Sequence, residues 1–297
     1  MDFDLIQITE TTGENPINPI DGIYLSLRSD LKDADITTII PSKGRHGQLR
    51  ATIDSLRDSV AITSDYKVSI IVVEISVNME HLDICREKSC SYIWIKENSP
   101  RFNKCLAHNI GYCFSDSTLL HFHDSDILVN DSLYSNIKNR KIDSISAVHC
   151  LRERCVRSMS EGDAHRIMVD GAQIKDVISE TNPPMPEEYQ RKAPGGSIIV
   201  GRSLFELIGG FDSHLFDGYS VEDQFFWDKL SSIVEIPSMN ENDLVHIWHE
   251  AERSHNNQDH MIPVESFRKL ESRGKYFAAA KKLLFKLKSK VNELQGL

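Results

Sequence analysis

The sequence has no CxxC pair, no apolar run near the roughly 20 residues that a membrane-spanning helix needs, and no excess of positive charge. Each absence removes a class. The six cysteines (85, 90, 105, 113, 150 and 155) are scattered through 297 residues, a chain too large to need disulfide staples. They read as reduced thiols of a cytosolic protein. Lys and Arg number 34 against 44 Asp and Glu, a net charge of −10. That argues against a general nucleic-acid binder, which needs a basic face to displace counterions. The opening Met1-Asp2-Phe3-Asp4 has no basic segment and no apolar stretch behind it, so no ordinary secretory signal is expected. No GxxxxGKS/T loop and no GxGxxG turn occurs, which leaves a Walker-type phosphate loop and a dinucleotide fold unsupported. No internal repeat is visible.

What is present is an ordinary globular balance, 40% apolar and 26% charged, enough for one large domain or two small ones. Residues 1–34 are polar, punctuated by Pro16, Pro19 and Gly22, and read as a leading arm on the domain edge. Order begins at Asp35. Ile36-Thr37-Thr38-Ile39-Ile40 is short, β-branched and ended by Pro41, as a buried strand that stops at a loop. Leu49, Ile53, Leu56 and Val60 are spaced for a helix over 46–60. Strands are expected at 68–75, 92–95 and 118–122, with a helix over 103–115. Such alternation predicts a parallel sheet with helices on both faces. From Arg152 to Lys192 the pattern fails, and the segment reads as an irregular lid. A strand at 198–200, short helices near 203–208 and 222–230, and a strand ending at His246 complete the domain.

Chemistry-bearing residues fall just after the apolar runs, where parallel sheets place their ligands. Asp124-Ser125-Asp126 follows Leu119-Leu120-His121-Phe122. Two carboxylates at i and i+2 can converge on one hard cation, although the same pattern also serves in solvated turns. Glu222-Asp223 lies beyond Gly209-Gly210-Phe211-Asp212 and Asp217-Gly218-Tyr219. Tandem acids at a helix start favour the helix dipole and can cap it; equally, one can act as a general base. His246 and His249 are three apart and can share a metal, or stand as ordinary surface or core imidazoles. Pro41-Ser42-Lys43-Gly44-Arg45 can cradle a nucleotide phosphate at a strand end.

These segments occur in a familiar order. Thr38-Ile39-Ile40-Pro41-Ser42-Lys43-Gly44-Arg45, the Glu74 of Val72-Val73-Glu74-Ile75-Ser76, His108-Asn109-Ile110-Gly111 (with His for the usual Arg) and Asp124-Ser125-Asp126 resemble the N-terminal half of family 2 glycosyltransferases. Gly195-Gly196-Ser197, Gly209-Gly210-Phe211-Asp212 and Gly218-Tyr219-Ser220-Val221-Glu222-Asp223 are similar to a C-terminal motif. It is shared by β-1,4-galactosyltransferases, chondroitin-polymerase-type enzymes and polypeptide N-acetylgalactosaminyltransferases. Tyr219 stands where galactosyltransferases carry Trp, and Val221 where they carry Gly. His246-Ile247-Trp248-His249 fits their Met-x-x-His, with His for Met.

The resemblance covers about Asp35 to His249 and implies the GT-A fold, a Rossmann-like α/β architecture with a mixed, mostly parallel sheet flanked by helices. It implies a metal-dependent transfer of a hexose of the galactose, N-acetylgalactosamine or glucose type. The donor would be a UDP-sugar, the acceptor a saccharide hydroxyl, and the outcome inversion, in surface polysaccharide or glycan synthesis. Pro41, Lys43, Arg45, Glu74, Asn109 and Asp124 would hold the donor. Asp124, Asp126, His246 and His249 would hold Mn²⁺ or Mg²⁺. Asp223 would be the base, with Glu222, Tyr219 and Gly196 at the acceptor. A retaining transferase, a sugar-phosphate nucleotidyltransferase and a non-catalytic nucleotide-sugar or carbohydrate-binding module remain alternatives.

The expected organisation is an arm over 1–34, the GT-A domain over 35–255 and a basic amphipathic extension over 256–297. Between Arg268 and Lys290 stand nine Lys or Arg and one acid, Glu271. Phe277, Ala280, Leu284, Leu287, Val291 and Leu294 recur at helical spacing. That helix can lie on an anionic membrane, pack on the domain, or pair with a second copy as a short coiled coil. The membrane reading suits a cytoplasmic enzyme, peripheral at the inner face, acting on a lipid-linked saccharide.

Overall fold

The β-branched run at Ile36 forms the centre of a sheet because both of its faces are covered. Strand β2 (Ile36–Ser42) and strand β3 (Val68–Ser76) are buried at every residue, as expected of parallel strands with helices on both sides. Their side chains alternate between two cores. Ile39, Ile71 and Val73 face one; Ile36, Ile40, Ile70 and Val72 face the other. The computed structural model describes residues 23–62, 66–98, 101–150, 155–174, 176–177, 191–192, 195–216, 218, 220–239, 244–250 and 258–294.

The remaining strands of the main sheet are β1 (Ile23–Ser26), β4 (Ser91–Lys96), β5 (Leu119–His123), β7 (Ala147–His149) and β10 (Ser197–Gly201). The spatial order is β1-β4-β3-β2-β5-β10-β7. The four central strands β4, β3, β2 and β5 are parallel, β1 and β10 run antiparallel to them at the two sides, and β7 pairs antiparallel with β10. The edge strand β1 comes from residues expected only as an arm. Helix α1 (His46–Ile62) covers one face with α4 (Leu133–Asn139), while α2 (Leu82–Glu87) leads into β4. Helix α3 (Lys104–Cys113) packs on β2 and β3 from the other side. A side chain at Gly111 would run into Ile39, so a glycine is what lets α3 approach β2 this closely.

A second sheet of short strands, β6 (Ile127–Leu128), β11 (Val245–His246), β8 (Cys155–Ser158) and β9 (Arg191–Lys192), stands beside the carboxyl end of β5. It corrects the expectation that 152–192 is irregular throughout. The stretch holds β8, β9 and helix α5 (Glu161–Met168), whose N-cap Ser160 accepts from the Asp163 amide. Residues 151–154, 175, 178–190 and 193–194 of that region lie outside the described set.

The C-terminal half adds α6 (Arg202–Ile208), α7 (Glu222–Ser231), α8 (Gln258–Arg268) and α9 (Arg273–Leu294). Of the three readings of the basic helix, its apolar stripe follows the packed one. Ala280, Leu284, Leu287 and Val291 are buried, and α9 lies against α6 and α3. Among the described residues no helix is long and apolar enough to cross a membrane.

Candidate functional site

The chain passes from β2 outward to β3 and β4, then returns to β5 on the other side of β2. Loops leaving β2 and β5 therefore diverge and open a crevice at their carboxyl ends, the usual ligand position in such sheets. The β2 loop turns sharply, with Gly44 and Arg45 at φ of 62° and 57°. A non-glycine residue there costs about 1 kcal/mol or more, and it aims the Arg45 guanidinium at the Asp126 carboxylate, to which it donates.

The loop after β5 is the Asp124-Ser125-Asp126 turn, and its backbone is held from four sides. The Asp124 amide donates to the Gly196 carbonyl (2.8 Å), and Thr52 Oγ1 donates to the Ser125 carbonyl (3.1 Å). The Ile247 amide donates to the Asp126 carbonyl (2.8 Å). The His123 ring bridges the turn, Nε2 to the Ile127 carbonyl at 2.9 Å. Because that carbonyl only accepts, Nε2 carries the proton and Nδ1 accepts from Ser197 Oγ (2.9 Å).

One side of the turn faces imidazoles. Pairing of β11 with β6 sets His246 opposite Ile127. Asp126 Oδ2 then lies 3.2 Å from His249 Nε2 and 3.7 Å from His246 Nε2. The three side chains can each offer one atom to a common cation. His249 Nδ1 donates to the Glu250 carbonyl at 2.9 Å, and Nε2 donates to Asp126, a bond that raises this imidazole above its ordinary range. One carboxylate and two imidazoles are a donor set suited to a divalent transition metal such as Mn²⁺. Burial works to raise the Asp126 carboxyl, but the hydrogen bond from His249 and the Arg45 charge, with the His246 imidazole beside them, hold it down at about 2. It is thus ionised at neutral pH. Burial keeps His246 below its ordinary range, and therefore neutral.

The other side of the turn faces a lysine that the motif reading missed. Asn103 caps α3 by accepting from the Leu106 amide (2.8 Å), and this places Lys104 in the first helical turn at the mouth of the crevice. Its Nζ lies 2.7 Å from Asp124 and 3.0 Å from Asp223. Burial works against this ammonium, yet Asp124, Asp223 and Glu222 hold its pKa well above the ordinary value. The Asp223 carboxylate sits over Gly195, where any side chain would overlap it. Both acids lie in the first turn of α7, where the helix dipole favours them, but no side chain caps that helix. Glu222 is 4% exposed and accepts from the Ser220 amide (2.9 Å). Burial, reinforced by Asp223, pushes its carboxyl up to about 7. Burial also raises the Asp124 carboxyl, partly offset by Lys104.

Asp124, Asp223 and Gly196 thus line one cavity, with Phe211 and His108 in its wall beside Lys104. Glu222 is buried next to Asp223, and Arg45, His246 and His249 gather around Asp126 on the other side of the turn. Asp124 is directed to Lys104 rather than to the two imidazoles, so three of the four expected metal ligands cluster. Pro41 is buried in β2, and Lys43 is half-buried at its end. Tyr219, expected at the acceptor, lies outside the described residues.

Two donor assignments need correction. Glu74 is fully buried and its oxygens are occupied by the chain itself: they accept from Ser76 Oγ, the Glu80 and His81 amides and the Tyr92 hydroxyl. It shapes the 76–81 loop and presents no free oxygen to a nucleotide. Asn109 exchanges two hydrogen bonds with the Phe211 backbone, at 2.8 and 3.0 Å. It staples α3 to the Gly209-Gly210-Phe211-Asp212 turn and does not reach a diphosphate. That turn is fixed again by Lys229, which donates to the Gly210 carbonyl and pairs with Asp212 at 2.6 Å, fully buried. A second group of possible ligands, His46, Glu80 and His81, lies behind the β2 loop. The buried His81 is already engaged there, by the Gly44 carbonyl (2.7 Å) and Glu74 (3.3 Å).

No protein-family model matches the chain, and no curated protein sequence matches it. Solved structures do, 207 chains in all. GalNAc-T7 with UDP, GalNAc and Mn²⁺ superposes with a TM-score of 0.54 at 14% identity, over 82% of this chain and 50% of that one. The fold is GT-A. A Drosophila β-1,4-galactosyltransferase 7 mutant in complex with manganese, UDP-Gal and xylobiose matches at 15% identity and a TM-score of 0.48, over 76% of this chain and 78% of that one. The mannosyltransferase PcManGT from Pyrobaculum calidifontis, with GDP-Man and Mn²⁺, matches at 15% and 0.48, over 86% and 73%. This chain spans half the length of the GalNAc-T7 chain it matches.

Proposed function

We propose that the chain is a metal-dependent glycosyltransferase that moves a hexose from a UDP-sugar to a saccharide hydroxyl with inversion at the anomeric carbon. One observation carries the reading. A three-residue turn has one acid, Asp126, among imidazoles and the other, Asp124, joined through Lys104 to Asp223. A candidate cation cluster and a carboxylate that can serve as base therefore stand on the two sides of one turn.

Asp126, His246 and His249 would hold Mn²⁺. When bound, such a cation neutralises charge developing on a departing nucleoside diphosphate. Pro41, Lys43 and Arg45 border the donor side. The acceptor oxygen attacks the sugar C1 while the bond from C1 to the diphosphate oxygen breaks. The hydroxyl proton passes to an Asp223 carboxylate oxygen. Lys104 holds the orientation of Asp223, and Glu222 orients the acceptor. Gly195 leaves room for the Asp223 carboxylate itself, and Gly196 borders the cavity beside it, where a sugar ring can approach. A lipid-linked or free oligosaccharide fits as acceptor class.

The test is a screen of UDP- and GDP-sugars, with Mn²⁺ or with EDTA, for donor hydrolysis and for transfer to saccharides. The expected result is Mn²⁺-dependent turnover of a UDP-hexose, with an inverted product anomer by NMR. A retained anomer refutes the role of Asp223. Donor binding without any turnover indicates a binding module, and formation of a nucleotide-sugar from a sugar phosphate indicates a nucleotidyltransferase.

A further inference from the structure

The outward face of α9 carries features that the crevice does not use. The inward stripe is buried against α3 and α6, and Gly209 touches the helix backbone at Ala280 and Lys281 with no room for a side chain. The helix is therefore seated closely, and its opposite face is fixed toward solvent. Lys281, Lys282, Phe285 and Lys286 lie exposed there. Phe285 is 77% exposed, and Leu270, in the turn leading into the helix, is 78% exposed. They are the two most exposed large apolar side chains among the described residues. A single exposed apolar side chain is ordinary. An aromatic ring flanked by three lysines is a different pattern, on a helix with seven basic residues and one acid in a chain of net charge −10. Lys288 turns inward to Tyr112 and Glu206. Lys281, Lys282 and Lys286 face no carboxylate among the described residues.

We propose that this face docks on an anionic lipid surface, its lysines over the headgroups and Phe285 in the interfacial layer. Charge complementarity selects the occupant. Two-fold pairing with a second copy would set Lys281, Lys282 and Lys286 against the same three lysines. A negatively charged leaflet instead attracts each of them, and an aromatic ring at headgroup depth adds apolar burial. The inference is independent of the sugar chemistry.

The test is co-sedimentation of the full chain with sucrose-loaded vesicles of phosphatidylcholine alone or mixed with phosphatidylglycerol. The chain is expected to pellet with the mixed vesicles only, and less so as salt is raised. Lys281→Gln, Lys282→Gln and Lys286→Gln together should lower the partition coefficient on the order of a hundredfold, about fivefold per lysine. Phe285→Ser should weaken pelleting while circular dichroism is unchanged. Failure of the full chain to pellet with mixed vesicles overturns the proposal, as does equal pelleting of the triple variant. A dimer in sedimentation velocity that Phe285→Ser abolishes, without vesicle binding, would assign the face to a second copy instead.

Discussion

Gly195→Ala moves the proposed base without removing it. The added methyl would overlap the Asp223 carboxylate, so that side chain must turn away, and its 3.0 Å contact with Lys104 must stretch or break. The cation site stands on the far side of the turn and shares no atom with this contact. Overpacking of this kind costs about 1–3 kcal/mol of stability, which a folded domain tolerates. A displacement near 1 Å at a reacting group costs on the order of 10²-fold in rate. Transfer turnover is therefore expected to fall about a hundredfold, while the Mn²⁺ dissociation constant, read by electron paramagnetic resonance, stays within about twofold. Asp223→Asn alone should cost about 10²–10⁴-fold. The two substitutions act through one carboxylate, so the double variant should be no slower than Asp223→Asn. Wild-type transfer by a folded Gly195→Ala enzyme, or additive losses in the double variant, would refute the assignment.

His249→Ala should weaken Mn²⁺ binding by at least about tenfold, since even outer-shell partners of metal ligands are worth 10–100-fold; unchanged affinity would exclude the Asp126, His246 and His249 cluster. Glu74→Ala strands the Tyr92 hydroxyl, Ser76 and two amides. It should lower stability by about 3 kcal/mol or more, with the donor KM of the residual folded enzyme unchanged, whereas a raised KM at normal stability would return Glu74 to the nucleotide. Burial keeps His108, His121 and His123 neutral, the first two well below 6.5 and the last at about 4. Unfolded imidazoles take up protons as pH falls through 6.5 while these do not, so stability drops with acid. These three rings make folding about 4 kcal/mol less favourable at pH 5.5 than at pH 7.5, at about 1.4 kcal/mol per imidazole. The raised carboxyls of Glu222 and Asp124 take up protons in the folded state over the same range and act in the opposite sense. NMR titration of the three rings checks their enclosure, and a ring that takes up a proton near 6.5 would mean that it is not enclosed.

The sheet was legible because buried parallel strands are written as continuous β-branched runs, and Ile36–Ile40 and Val68–Ile75 have that form. The small sheet was not: β6, β9 and β11 have two residues each, too few for any period to register. The acids of the turn and the histidine pair could be placed near a strand end from spacing alone. Lys104 could not be singled out by type in a chain that is 26% charged. The available signal was Asn103 three residues before Leu106, a helix cap that puts the next residue at the ligand end of the sheet. Glu74 misled for the opposite reason. An acid near a strand end reads the same whether it faces a crevice or its neighbours, and its partner Tyr92 is 18 residues away. The His108-Asn109-Ile110-Gly111 run looked chemical and is chiefly architectural. Asn109 bonds the Phe211 backbone, and Gly111 admits Ile39.

In the proposed reaction Arg45 would link the cation to the donor. All three of its neighbours' claims fall on one atom: Asp126 Oδ2 takes the Arg45 guanidinium and faces both His249 and His246. A divalent cation held by that oxygen and the two imidazoles must displace the guanidinium, whose left-handed backbone keeps it at the crevice. A displaced Arg45 is then close to the donor phosphates, which attract it bidentately. Cation and donor are thus expected to bind cooperatively, each strengthening the other through the guanidinium. Arg45→Ala removes the competitor as well as the phosphate contact. It should therefore bind free Mn²⁺ at least about two- to fivefold more tightly, the worth of an exposed ion pair and so a lower bound for one whose carboxylate is buried, while binding the donor with Mn²⁺ more weakly. The opposite signs separate this coupling from general damage, which weakens both. Weaker binding of free Mn²⁺ by calorimetry would mean that Arg45 supports the Asp126 carboxylate rather than competing for it.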